Sequence, residues 1–138
     1  MRFIIIIFCL LYSNLLFSQK FFIEVVVPNI PSIKGEIQIG LYNKSATFPK
    51  VGKEFKTYRY KVTKKRMKFK LTDLPRGFYA LALYHDINSD KVCNRNLIGI
   101  PTERFGFSNN VKPILSAPSF KSARLILLEN KVVEIKLQ

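Results

Sequence analysis

Histidine, cysteine and acidic residues are scarce in this chain, and each scarcity closes off a chemistry. There is one histidine, His85. A zinc site takes three or four ligands, and His85 with Cys93 falls short of that. A hydrolytic site needs a nucleophile, a base and an orienting carboxylate. Asp86 is next to His85, but neighbours on a strand point to opposite faces. Ser108 or Cys93 as a nucleophile has no supporting sequence context. The expectation is a non-enzymatic protein, with a His85-dependent hydrolase as the last alternative.

The two cysteines are Cys9 and Cys93. Cys9 lies inside the apolar run Phe3–Tyr12, which follows Arg2 and is broken by Ser13-Asn14. With Leu15-Leu16-Phe17-Ser18 after it, the segment has the layout of a secretory signal peptide. It is too short for a transmembrane helix. Cleavage is expected after Ser18, and an uncleaved amino-terminal anchor is the alternative. A lipidated cysteine needs a small residue before it, and Phe8 precedes Cys9. The expected destination is therefore outside the cytoplasm. Residues 19–138 then form one domain of about 120 residues, large enough to fold on a hydrophobic core. Cys93 is alone after cleavage, so the core has no internal disulfide to assist it.

Helical periodicity is the next absence. No helix-length segment of 19–138 carries it, and there is no internal repeat or linker. Period-two alternation is present instead. Lys20–Pro28 places Phe21, Ile23, Val25 and Val27 on one face. Gly35–Tyr42 does the same with Ile37, Ile39 and Leu41. Phe78–Asp86 is apolar on both faces, which suits a central strand. Phe120–Leu128 and Lys131–Leu137 alternate as well, and Glu129-Asn130 between them predicts a tight hairpin. About seven short strands predict an all-β, antiparallel sandwich with one long loop at 87–119. A loop of that length is usually functional or internally organised.

Acid is outnumbered by base, nine residues to 23, for a net charge of +14. Much of the excess lies between Lys53 and Lys70. Tyr58, Tyr60 and Val62 alternate with Arg59 and Lys61, and Met67, Phe69 and Leu71 alternate with Arg66, Lys68 and Lys70. This predicts a hairpin turning at Thr63-Lys64-Lys65, apolar on one face and basic on the other. The basic face is either a solvated surface or a patch for an anionic envelope partner. Nucleic acid is not an expected partner, because no nucleic-acid-reading motif is present.

Leu74-Pro75-Arg76-Gly77-Phe78-Tyr79 joins a fixed φ at Pro75 to a permissive Gly77 before the central strand. It is similar to the turn of transthyretin-like and Ig-like sandwiches, where the tyrosine ties the strand end to nearby backbone. Together with Gly35–Tyr42, His85–Asp90, Gly99–Asn110 and Ala117–Phe120, it resembles DUF2141, a bacterial family of exported proteins of unknown function. The resemblance spans about residues 20–138. It implies an exported sandwich in the periplasm, on the cell surface or in the surroundings of a Gram-negative bacterium, and brings no substrate or activity.

Asp86-Ile87-Asn88-Ser89-Asp90 sets oxygen side chains at the D-x-N-x-D spacing of calcium loops. The family's usual form continues with glycine and a closing aspartate, and here those places are Lys91 and Asn94. A calcium site of Asp86, Asn88, Asp90 and Asn94 is thus correct in spacing and weakened in chemistry. An Asx turn, in which these side chains bond local backbone, is the competing expectation. The loop Phe105-Gly106-Phe107-Ser108-Asn109-Asn110 sets aromatic rings beside adaptable polar groups, a composition for contact with a protein or glycan. The rings equally suit pinning the loop to the core. The first functional expectation is a binding module of the bacterial envelope. The second is a calcium-stabilised structural module.

Overall fold

The computed structural model describes residues 19–138, so the expected signal peptide lies outside the described residues. Eight strands run in order: β1 (Lys20–Val27), β2 (Glu36–Tyr42), β3 (Lys56–Lys61), β4 (Met67–Pro75), β5 (Gly77–Asp86), β6 (Phe105–Phe107), β7 (Leu125–Leu127) and β8 (Lys131–Glu134). They form two sheets, β4-β1-β8 and β3-β2-β5-β6, with β7 added to β5. This is an all-β sandwich in which every strand pair but one is antiparallel. The exception is β1 with β8, which run parallel from Ile23↔Lys131 to Val26↔Glu134.

The core between the sheets is what the alternation predicts. Ile23, Val25 and Val27 of β1 and Phe69 and Leu71 of β4 face Ile37, Ile39, Leu41, Leu81 and Leu83 of β2 and β5. Each such side chain, fully buried, stabilises the fold by about 1.5–3 kcal/mol. Residues 135–138 then join the sheets. Ile135 N donates to Val26 O, while Gln138 and Phe105 exchange backbone hydrogen bonds.

Neither expected hairpin forms. β3 pairs with β2 and β4 with β1, so residues 62–66 carry the chain from one sheet to the other. Tyr60 and Phe69 meet across the core, ring centroids 4.8 Å apart. Their strands' polar faces therefore point away from each other, and no single basic face exists. Arg59 and Lys61 belong to one outer face, and Lys68 and Lys70 to the opposite one. β7 and β8 likewise belong to different sheets. The expected strand at 120–128 begins only at Leu125. Phe120–Ala123 is a single helical turn, α1, because the Ser119 side chain accepts from Ser122 N and caps it.

The Pro75–Tyr79 turn behaves as its sequence suggests. Tyr79 OH donates to Pro75 O at 2.8 Å and fixes the entry into β5. No helix among the described residues is long and apolar enough to cross a membrane.

Candidate functional site

The outer face of the larger sheet carries a second apolar layer. Even-numbered residues of β2 and β5 point this way: Gln38, Gly40 and Tyr42 beside Ala80, Ala82 and Tyr84. Tyr42, Ala80, Phe107 and Ala123 are buried here under Phe48 from the 43–55 segment. Phe48 packs edge-on against Tyr42, Phe107 and Phe120, at centroid distances of 5.2–6.0 Å.

Beside that layer the floor falls away. Gly40 and Ala82 are directly paired across β2 and β5. The Tyr42 ring and the Glu54 side chain close over Gly40, while Ala82, with a single methyl and half-buried, leaves the floor low beside them. The hollow is a cleft of about 420 Å³, with Phe105 and Phe107 on one side, Pro49 and Val51 on another, and Ile100 and Pro113–Ala117 over it. That volume and apolar lining are within the range of small-molecule sites, which add a few placed polar groups to apolar walls. Three such groups are present. Tyr84 OH donates to Gln38 Oε1 at 2.9 Å at one end of the floor. Tyr42 OH donates to Glu54 Oε1 at 3.3 Å at the other. Arg95 borders the opening. Burial pushes the Tyr84 phenol up to about 12, and raises Tyr42 further with the help of the Glu54 carboxylate. Both hydroxyls therefore stay protonated hydrogen-bond donors.

The Phe105–Asn110 segment divides by role. Phe105 and Phe107 line the cleft. Ser108 is buried, accepts from Leu81 N at 2.9 Å and donates to Ala123 O. Asn109 donates to Ser122 O and Arg124 O. Asn110 donates to Glu134 O and accepts from Lys136 N. These three side chains staple the segment to β5, α1 and β8, and none of them is among the residues lining the cleft.

The acidic loop lies at the far end of the same sheet face. Asp86 is fully buried, and its carboxylate accepts from Asp90 N at 3.2 Å and Lys91 N at 2.8 Å. Asn88 Oδ1 accepts from Asp90 N. Asp90 accepts from Val92 N and from the amide groups of Asn88 and Asn94. These donors hold the Asp90 carboxyl below its ordinary range, the Val92 backbone contributing most. Glu103 reaches in from the next segment, as its position in the sequence allows, and accepts from Ile87 N and Asn94 N. Burial raises its carboxyl against those two bonds. Among the described residues no three His, Cys, Asp or Glu side chains are grouped to hold a metal ion.

Lys91 sits in this loop with φ +67°, where the family's usual pattern has glycine. A left-handed conformation costs a side-chain-bearing residue about 1–2 kcal/mol, a penalty glycine escapes. Glycine loses more chain entropy on folding, which returns part of the gain. Lys91→Gly is expected to raise the melting temperature by about 2–4 °C. A lower melting temperature would mean that the lysine side chain supports the loop in a way its exposure does not suggest.

The basic residues are distributed as the two sheets dictate. Arg59 Nη1 is 3.9 Å from Asp86 Oδ2. Arg66 pairs with Glu134 at 3.6 Å and Lys68 with Glu24 at 3.3 Å. Lys70 Nζ stands 4.0 Å above the Phe22 ring. Lys61 is opposite Glu36 in the β2–β3 register. His85 is buried: its Nε2 is 2.7 Å from Lys34 O in the segment before β2, its backbone N donates to Arg104 O, and its Nδ1 has no partner among the described residues. Ser108 bonds backbone only. Burial, with the Glu103 carboxylate, pushes the Cys93 thiol up and away from its thiolate form.

Fold and site together define an all-β sandwich with a loop-roofed apolar cleft on one sheet face. The family described as "Uncharacterized protein conserved in bacteria (DUF2141)" matches residues 25–136, and the chain belongs to it. No curated protein and no solved structure matches it.

Proposed function

We propose that this is an exported, non-enzymatic binding module of the bacterial envelope, whose ligand occupies the cleft over Gly40 and Ala82. The observation carrying the reading is the cleft itself, about 420 Å³ of mostly apolar space with the Tyr84–Gln38 pair at one end. The ligand class is amphipathic: an apolar chain or ring lies along the floor, and a polar group meets Tyr84, Gln38 or Arg95. Export fits the targeting layout of the first eighteen residues. The Tyr79–Pro75 bond supports a transthyretin-like or Ig-like relationship. A non-enzymatic role fits the engagement of His85 and Ser108 with backbone and the protonated state of Cys93.

Ala82→Leu tests it, because the added side chain fills the floor. Anilinonaphthalene sulfonate, an apolar ring system with an anionic group, is the probe. The parent should bind it with enhanced fluorescence. The variant should lose about tenfold or more in affinity, since a filled pocket rejects by clash. Its melting temperature should stay near the parent's. Equal probe binding by both proteins would remove the cleft from consideration.

The calcium-stabilised module is separated by a melt in EDTA and then in millimolar calcium. A cation that binds only the folded state raises its stability by mass action. With Asp86 and Asp90 oxygens engaged by backbone N–H groups, no shift is expected. A calcium-dependent rise that Asp86→Ala abolishes would establish the clamp instead.

A further inference from the structure

The two segments roofing the cleft end in apolar side chains that nothing covers. Leu97 is 107% exposed, Ile98 79%, Ile114 92% and Leu115 99%. Scattered surface leucines are ordinary, whereas contiguous exposed apolar groups mark contact sites. These four are not scattered. Ile114 and Leu115 line the cleft, and so do Gly99 and Ile100, which directly follow Leu97-Ile98. Both apolar pairs therefore belong to segments that line one cleft.

The charge beside them has one sign. Between residues 91 and 117 the basic residues are Lys91, Arg95, Arg104 and Lys112, all exposed. The one carboxylate in that stretch, Glu103, is buried and engaged by two backbone N–H groups. In the 43–55 segment Lys50 and Lys53 flank exposed Val51, and the one carboxylate lining the cleft is half-buried Glu54, which accepts from Tyr42 OH. Exposed aliphatic tips on segments whose exposed charges are basic are the composition of a surface that enters the headgroup region of an anionic membrane. There, binding strength comes from buried apolar area together with attraction to anionic lipid.

We propose that the rim formed by Leu97, Ile98, Ile114 and Leu115 docks on an anionic phospholipid bilayer and presents the cleft mouth to it. The inference rests on the reading of the cleft as a ligand site and gives that site a source of amphipathic ligand. The partner is a bilayer and not a soluble protein because the tips are aliphatic and the exposed charge between 91 and 117 is entirely positive. A protein interface would be expected to interleave aromatic anchors and both charge signs.

The chain contains no tryptophan, so one introduced at the rim reports without background. Residues 19–138 bearing Leu115→Trp are mixed with vesicles of phosphatidylcholine alone, or of phosphatidylcholine with phosphatidylglycerol. A blue shift and co-sedimentation are expected with the anionic vesicles only, weakening as salt rises. The double variant Leu97→Asp, Leu115→Asp should lose about tenfold or more in vesicle affinity while melting like the parent. Lys112→Glu should weaken binding to anionic vesicles. No blue shift, with anilinonaphthalene sulfonate still bound, would overturn the docking surface and leave the cleft reading in place. Loss of probe binding in Ala82→Leu with vesicle binding retained would support both. Equal binding to neutral vesicles, or a blue shift without vesicles accompanied by dimers in sedimentation, would overturn the proposal, the latter in favour of a second copy of the chain on the rim.

Discussion

Gly35→Ala is expected to be among the most damaging single-methyl changes available in this fold. Gly35 has φ +67°, and a Cβ built on it lies 1.9 Å from Asp86 O and 2.7 Å from Ile87 Cα. No side-chain rotation relieves contact with backbone. The residue must move, or β5 must. Either motion acts where β2 and β5 are paired at Glu36↔Asp86 and where Val62 N donates to Gly35 O. It also disturbs the neighbouring Lys34 O that His85 Nε2 contacts. Left-handed strain contributes about 1–2 kcal/mol and overpacking about 1–3. A loss of about 3 kcal/mol or more is a large share of the 5–15 typical of a domain. The control is Gly52→Ala, whose φ is +80° but whose added Cβ meets nothing within 4 Å. It should show only the conformational cost, about 1 kcal/mol. Urea or thermal melts of the two variants check this. If Gly35→Ala melts no lower than Gly52→Ala, the close approach to Asp86 is not a feature of the molecule in solution.

The same stretch shows what was legible in the sequence. Period-two patterns identified β1 and β2, and apolarity on both faces identified β5, each within a residue or two, because the face turned to the core must be apolar along the whole strand. Connectivity was not legible. Tyr58, Tyr60, Phe69 and Leu71 all face the core whether β3 and β4 pair side by side or oppose each other across the sandwich. The apolar pattern is identical in both arrangements, so adjacency in sequence suggested a hairpin where the chain makes an arch. β7 and β8 misled in the same way. Ala123 fitted a strand alternation, yet one helical turn capped by Ser119 buries it equally well.

The cleft was half visible. Phe105 and Phe107 stood out as rings in a loop. Gly40 and Ala82 read only as the alternate positions of two strands, and their pairing gains meaning once the β2–β5 register is known. The segment carrying Phe48 had no periodicity to draw attention to it. The apolar tips at Leu97-Ile98 and Ile114-Leu115 were plain in the sequence. Their exposure was not, since an aliphatic pair in a long loop is as readily packed inward.

Asp86→Ala is the complementary prediction, and it separates a structural carboxylate from a metal ligand. The side chain is fully buried, and its removal takes one partner from each of three groups. Lys91 N loses its acceptor, Asp90 N keeps only Asn88 Oδ1, and Arg59 loses the carboxylate 3.9 Å away. An abandoned buried donor costs about 1–3 kcal/mol. Deleting one member of a buried ion pair costs about 3–5. Arg59 is 29% exposed and its approach is long, so the ionic part is at the low end or below. A total of about 3 kcal/mol follows, or roughly 10–15 °C in melting temperature for a domain of this size. Asp86→Asn keeps one acceptor and sets an amide N–H₂ against the second backbone N–H, so it should fall between. The order parent, Asn, Ala should be the same in EDTA as in calcium, because the oxygens serve N–H groups of their own loop. An Asp86→Ala protein melting within about 2 °C of the parent, which amounts to less than 1 kcal/mol, would mean that solvent enters and satisfies those donors. A difference present only with calcium would mean that the carboxylate's main partner is a cation. The first outcome would detach the loop from the stability of the sheet. The second would make Asp86, Asn88, Asp90 and Asn94 a ligand set and reorder the two functional readings.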